Sequence, residues 1–187
     1  MAAPIELQTP RLLLRQWSDD DLTGFAALNA DPEVMRFFPA CLEQAQSHAL
    51  AARIRGHFAE HGFGPWVLQR RDSGAFIGVT GLLRVGFSAP FTPAVEIAWR
   101  LDRAHWRQGF AREAASAALA CGFERLGLTQ IVAFTTRDNL PSQGLMQRLG
   151  MRRDAADDFD HPALAAGHPL RRHVLYRLRR REWEVSR

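Results

Sequence analysis

The chain has 187 residues, 47% of them hydrophobic, with 24 basic and 20 acidic side chains and every basic one an arginine. That length supplies one domain, residues 1–187, with a sizeable core; there is no run of about 18 apolar residues, and Met1 to Pro10 shows no basic head followed by an apolar stretch, so neither a membrane span nor a secretory leader is supported and a cytoplasmic protein is expected. The net charge of +4 is spread along the chain except at Arg171, Arg172, Arg177, Arg179, Arg180 and Arg181, where Glu182 and Glu184 dilute it, so a solvated face is favoured over a nucleic-acid interface.

Residues 11–17 read as the first strand. Ser18 with Asp21 three positions on has the spacing of a capping box, and Trp17 is placed to staple onto Leu22. A helix therefore begins there, with Leu22, Phe25, Ala26 and Leu28 on its buried side, until Asp31-Pro32 breaks it. The apolar stretch 32–39 reads as a turn of helix packed on the core or as the wall of a substrate pocket. Residues 42–61 return to a helical pattern, with Ala45, Ala49, Ala52 and Phe58 inward and Gly62 as the stop. His48, His57 and His61 in it lack metal-pair spacing and read as surface groups. Cys41 and Cys121 form neither a metal pattern nor a disulfide framework.

Residues 65–70 and 75–85 read as two strands joined by Asp72-Ser73-Gly74, which is hairpin chemistry. A loop with Pro90 and Pro93 leads to a strand over 94–101. Then comes His105-Trp106-Arg107-Gln108-Gly109-Phe110-Ala111-Arg112-Glu113, running directly into an Ala-rich helix to Leu126. A polar loop entering a helix turns several backbone N–H groups outward at the positive end of the helix dipole. Gly109 permits a tight turn and close approach to the backbone, Ala111 keeps the next position small, and Arg107 and Arg112 add charge where a phosphate would sit. A glycine before a helix is also an ordinary turn; the order strand, loop, helix favours phosphate binding. Neither a Walker loop nor the Gly-x-Gly-x-x-Gly fingerprint is present.

Ala115, Ala118, Leu119, Gly122 and Phe123 mark one apolar face of the Ala-rich helix, and Gly127 closes it. Residues 130–136 read as a strand and Arg137-Asp138-Asn139 as a turn. A short helix over 140–149 follows, with Asn139 as N-cap, Pro141 in the first turn and Gly150 as C-cap. Strands over 151–153 and 173–178 flank a long loop. The acidic cluster of that loop, from Asp154 to Asp160, reads either as a lure for a cationic amine or as a solvated turn offsetting the arginine-rich tail. Asp158, Asp160 and His161 do not make a metal pattern, and no metal is expected.

Trp106-x-x-Gly109-x-Ala111 resembles the Arg/Gln-x-x-Gly-x-Gly/Ala signature of the GNAT acetyltransferases, with Trp at the usual Arg/Gln place. Asn139-Leu140-Pro141-Ser142 ahead of Leu149-Gly150-Met151 resembles that family's second motif, and the likeness extends from Thr9-Pro10-Arg11-Leu12 to His173-Val174-Leu175-Tyr176, closest to the RimJ/RimL branch. The resemblance implies an α/β (α+β) GNAT fold, with a mixed, mostly antiparallel twisted sheet of about six to seven strands and about four helices. It implies acetyl-coenzyme A as cosubstrate, its pyrophosphate on the loop Arg107, Gln108, Gly109, Phe110, Ala111 and Arg112. It also implies that Trp99, Arg100 and Leu101 take the pantetheine amides through their backbone, that Asn139 hydrogen-bonds the arm, and that Ser142 lies near the thioester sulfur. The sequence departs from the wider family at Met146, where many members hold a Tyr that protonates the leaving thiolate, so the acid role passes to Ser142 or to water.

The activity implied is transfer of an acetyl group to a primary amine, in the RimJ/RimL branch a protein N-terminal α-amine. Alternatives are a small amine such as a polyamine or antibiotic, or a non-catalytic module that binds the acyl-coenzyme. An ammonium acceptor must lose a proton before attack. Glu96, where several family members carry a catalytic Glu, is the candidate base, and an ion pair with an arginine is its structural alternative. A monomer or homodimer is expected.

Overall fold

Leu12 and Leu14 are fully buried while Leu13 and Arg15 are only partly so, the two-residue period of a half-buried strand. The computed structural model describes residues 5–185; the first four residues of the stretch read for a leader lie outside them. By its contacts the chain divides into two compact units. One is the chain up to Leu83 together with Ala98–Ala118, and the other is Arg84–Ile97 together with the chain from Leu119 on.

In the first unit, β1 (Leu7–Gln8), β2 (Leu12–Arg15), β3 (Pro65–Arg70) and β4 (Phe76–Arg84) pair antiparallel in chain order. α1 (Asp21–Ala30) and α2 (Gln44–His61) separate β2 from β3. Phe25, Leu28, Ala51 and Val79 form a core against which Trp17, Leu22, Leu50 and Ile54 pack. The end of β5 (Val95–Leu101) lies so close to β4 that a Cβ at Gly78 would stand 2.3 Å from the Arg100 carbonyl oxygen. Gly78 also has φ 141°, so no other residue fits there.

Several expectations for this unit change. The Ser18 hydroxyl does not cap α1; Ser18 N and Oγ both donate to the Asp21 carboxylate, which is held at the same time by Arg15. The inward stripe of α2 carries Ser47, Leu50, Ala51 and Ile54, whereas Ala45, Ala49 and Ala52 are exposed. Ser47 is inward because its hydroxyl accepts from buried Asn29, and alanines carry too little hydrophobic contrast to set a helix phase. His48, His57 and His61 are partly buried rather than on the surface, and His57 Nδ1 lies 2.7 Å from the Phe63 carbonyl. Residues 32–39 form turns and bends rather than helix, tied by Asp31 accepting from Glu33 N at 2.8 Å.

α3 (Phe110–Ala120) runs on into a π-turn over Cys121–Arg125, with Ala115, Ala118, Leu119, Gly122 and Phe123 all buried as their spacing requires. In the second unit, β5 pairs parallel with β6 (Gln130–Thr136), Glu96 standing opposite Val132. α4 (Leu140–Arg148) follows, then β7 (Arg152–Arg153), β8 (Phe159–Asp160), β9 (Arg172–Arg179) and α5 (Arg180–Val185). β9 pairs antiparallel with β6, β7 and β8. Phe91, Val132, Phe159 and Leu175 form the core, with Phe87 and Phe134 packed on it. The fold is thus mixed α/β with a mostly antiparallel sheet, nine strands and five α-helices among the described residues. Beyond the expected elements these include β1 and β8, two residues each and too short to show alternation, and α5.

Candidate functional site

The residues singled out in the sequence fall into two groups, one in each unit. In the first, β5 ends at Leu101 and a short 3-10 turn (Arg103–His105) leads into the loop ahead of α3. Trp106 Nε1 donates to the Leu101 carbonyl at 2.8 Å, so the Trp that replaces the usual Arg/Gln ties the loop to the end of the strand. Arg107 (φ 57°) and Gly109 (φ 84°) are both left-handed. For a non-glycine residue that conformation costs about 1–2 kcal/mol and points to a local demand on the backbone. The consequence is geometric: the backbone N–H groups of residues 107–112 have no acceptor among the described residues, the first helical bond nearby being Glu113 N to Gly109 O at 3.0 Å. Arg107, Gln108, Gly109 and Arg112 are exposed, Ala111 is partly buried and Phe110 is buried beneath them. Neither Arg107 nor Arg112 has an ion-pair or hydrogen-bond partner among the described residues. A row of outward amides at a helix start, flanked by two free cations, is suited to a diphosphate.

Trp99 and Arg100 are partly buried and Leu101 is buried. The Arg100 side chain turns toward the α1 side: Nη1 donates to Asn29 Oδ1 and the guanidinium lies 4.2 Å over the Phe38 ring. Its Nε is buried without a partner, and burial pulls its pKa down to about 10. Sequence reasoning did not assign Asn29 or Phe38 to this neighbourhood, because only the fold brings positions about 70 residues apart to one arginine.

In the second unit, Glu96 sits partly buried in β5 opposite Val132. No ion pair or hydrogen bond reaches its carboxylate among the described residues, so the arginine pairing considered from the sequence does not form. Burial pushes its pKa up to about 8. Asn139 caps α4, its Oδ1 accepting from Ser142 N at 3.3 Å while its Nδ2 donates to Thr135 Oγ1 at 2.9 Å. The Ser142 hydroxyl has no partner among the described residues. Met146 is 1% exposed and has no acidic proton.

The acidic loop resolves into pairs. Asp157 accepts from Arg177 Nε at 2.8 Å, Asp158 from Arg153, and Asp160 lies 3.2 Å from Arg171 and 3.4 Å from Arg172. Asp154 accepts from Ala156 N at 3.0 Å. Asp157, Asp158 and Asp160 are therefore paired with neighbouring arginines and Asp154 holds a turn, which favours the structural reading over a lure for a cation.

A model of the family described as acetyltransferase (GNAT) domain matches residues 11–152. The uncharacterized N-acetyltransferase YoaA of Bacillus subtilis (strain 168) is 33% identical over 153 residues, 79% of this chain and 83% of its own length. Among solved structures, the acetyltransferase (GNAT family) from Bacillus anthracis matches with a TM-score of 0.77 at 20% identity, over 95% of this chain and 99% of that one. Spermidine N-acetyltransferase from Vibrio cholerae, in complex with CoA and spermine, matches with a TM-score of 0.74 at 18% identity, over 94% of this chain and 99% of that one. At those identities the structural likeness speaks to the fold.

Proposed function

Because this chain belongs to the GNAT acetyltransferase family, whose members use acetyl-coenzyme A as cosubstrate, we propose that it acetylates a primary amine, a protein N-terminal α-amine before others, by direct attack in a ternary complex. The match over residues 11–152 runs through both compact units and supports reading them as one acetyltransferase domain. The observation that carries the proposal is the row of unpaired main-chain N–H groups at 107–112. It suits the diphosphate of the coenzyme, with Arg107 and Arg112 offsetting its charge. The bound coenzyme supplies an acyl group activated as a thioester and a thiolate able to leave. The backbone of Trp99, Arg100 and Leu101 orients the pantetheine arm, Asn139 shapes the start of α4, and Ser142 offers a hydroxyl proton to the departing sulfur.

Glu96 then has the proton-accepting role. With its pKa raised to about 8, it is matched to an α-ammonium of pKa about 8, whereas a side-chain ammonium near 10.4 would give up its proton at a cost of about 3 kcal/mol. That difference favours an N-terminal α-amine. A polyamine is the alternative most in need of free carboxylates, and the acidic side chains of residues 154–160 are engaged by arginines and by the backbone instead.

Thiol release measured over N-terminal peptides, polyamines and aminoglycosides tests the reading. Peptide α-amines are expected to turn over fastest, with kcat/KM rising as pH climbs toward 8 and levelling above it, as a base must be ionised. Glu96→Gln is expected to lower kcat about 100-fold while leaving coenzyme affinity intact. An unchanged kcat in that variant removes Glu96 from the mechanism, and failure of the wild-type protein to bind coenzyme A removes the enzyme reading altogether.

A further inference from the structure

The first turn of α3 holds a carboxylate, Glu113, where an anion would otherwise be repelled, yet both its oxygens are engaged elsewhere. Glu113 Oε1 accepts from Thr9 Oγ1 at 2.6 Å and from Arg11 N at 2.9 Å, and Oε2 accepts from Arg11 Nε at 2.6 Å. The same guanidinium donates through Nη1 to the Gln108 carbonyl at 2.9 Å and lies 4.3 Å over the Phe110 ring. Its Nη2 stands 3.2 Å from where a Cβ on Gly109 would be. One arginine, about 100 residues away in sequence, thus touches three consecutive residues of the loop and the helix that follows it.

We propose that Thr9, Arg11 and Glu113 form a clamp that sets the shape of the coenzyme loop, with Arg11 and Glu113 as positioning residues that act through the amides of 107–112 rather than by touching the reacting atoms. The clamp rests on the coenzyme reading above and adds to it. Holding the Gln108 carbonyl turns that peptide away from the helix mouth, and packing beside Gly109 keeps the left-handed turn in place. Pairing Glu113 with Arg11 also keeps the carboxylate from occupying the amides that an incoming diphosphate needs. A helix start with a free Glu in its first turn would satisfy its own N–H groups; this one leaves them outward.

Two substitutions separate positioning from simple charge. Arg11→Met removes a cation and Glu113→Gln removes an anion, so an electrostatic role for Arg11 would make the first weaken coenzyme A binding and the second leave it unchanged or tighten it. The clamp makes both weaken it. Calorimetry with coenzyme A is expected to give a Kd about tenfold higher for each, with Arg11→Lys between wild type and Arg11→Met because it keeps the charge but loses the fork. In the 15N–1H spectrum of the unliganded protein, the amide signals of residues 108–112 are expected to move in both variants, and melting curves report that each remains folded. Should Arg11→Met not fold, Arg11→Lys carries the same comparison. Glu113→Gln binding as tightly as wild type overturns the clamp, as does Arg11→Met doing so. If Gly109→Val weakens binding while Arg11→Met does not, the clamp alone fails; if the wild-type protein binds no coenzyme A, both readings fail.

Discussion

Asp21 is 3% exposed and carries four contacts, two from the Arg15 guanidinium at 2.8 and 2.7 Å and two from Ser18 at 2.7 and 3.0 Å. The bonds from Arg15 and Ser18 outweigh the burial that opposes them and hold its carboxyl below the usual range. Removing the carboxylate leaves Arg15, only 20% exposed, without its counter-charge, and breaking a buried pair from one side costs about 3–5 kcal/mol. Asp21→Ala is therefore expected to lower the urea midpoint sharply without changing the slope. Asp72→Ala, which breaks an exposed pair with Arg70, is expected to leave the midpoint nearly unchanged, because water already screens that pair. Equal effects would mean that burial does not decide the value of these pairs. The spacing of Ser18 and Asp21 was legible from sequence; the arginine that gives Asp21 its weight was not, since a strand residue six positions away faces it only once the turn has formed.

At the scale of elements, the strands read over 65–70, 75–85, 94–101 and 130–136 match the observed ones to within one residue at each end, and the stops at Gly62, Gly127 and Gly150 could be read directly, because alternation and left-handed glycines act locally. The phase of α2 could not, since its buried face is set by Ser47 and Asn29 meeting across two helices. The loop proposed to hold the coenzyme was legible as a glycine turn ahead of a helix, but neither the left-handed Arg107 nor the grip of Arg11 left a mark in local spacing. Close approach of β4 and β5 is likewise invisible in sequence and makes a sharp prediction. Gly78→Ala puts a methyl 2.3 Å from the Arg100 carbonyl oxygen and 2.7 Å from Leu101 Cα, so β5 must shift at the segment proposed to orient the pantetheine arm. Gly56→Ala in α2, where a methyl meets nothing within 4 Å, is expected to gain up to about 1 kcal/mol from helix propensity. Gly78→Ala is expected to lose several degrees in Tm and to raise KM for acetyl-coenzyme A. A melting temperature for Gly78→Ala equal to that of wild type would show that β4 and β5 tolerate separation there.

For the molecule as a whole, the same carboxylate that suits catalysis sets a slope in stability against pH. Glu96 has its pKa raised to about 8 by burial, against about 4.3 in an unfolded chain. Between those values the folded state binds the proton more tightly, so its contribution to stability is full below the unfolded pKa and is lost as pH rises through about 8. Other groups slope the opposite way. Asp21, Glu113 and Asp158 are held below their ordinary values by arginine and backbone or hydroxyl hydrogen bonds, and His161 and His173 are lowered by burial. Each of these contributes stability above its unfolded pKa that disappears as pH falls through its folded one. The raw Tm profile therefore mixes opposed terms, and subtraction isolates the one of interest. Glu96→Gln removes the ionisable group at near-constant volume, so the difference in Tm between wild type and variant is expected to fall steadily from about pH 4.5 to about pH 8 and to flatten above it. With Glu96 as the proposed base, activity of the wild-type enzyme is expected to rise over the upper part of that interval, because the ionised form is the one that accepts a proton. A difference that stays flat across the interval would mean that Glu96 is solvated in the folded protein, and the base assignment would lose its physical ground with it.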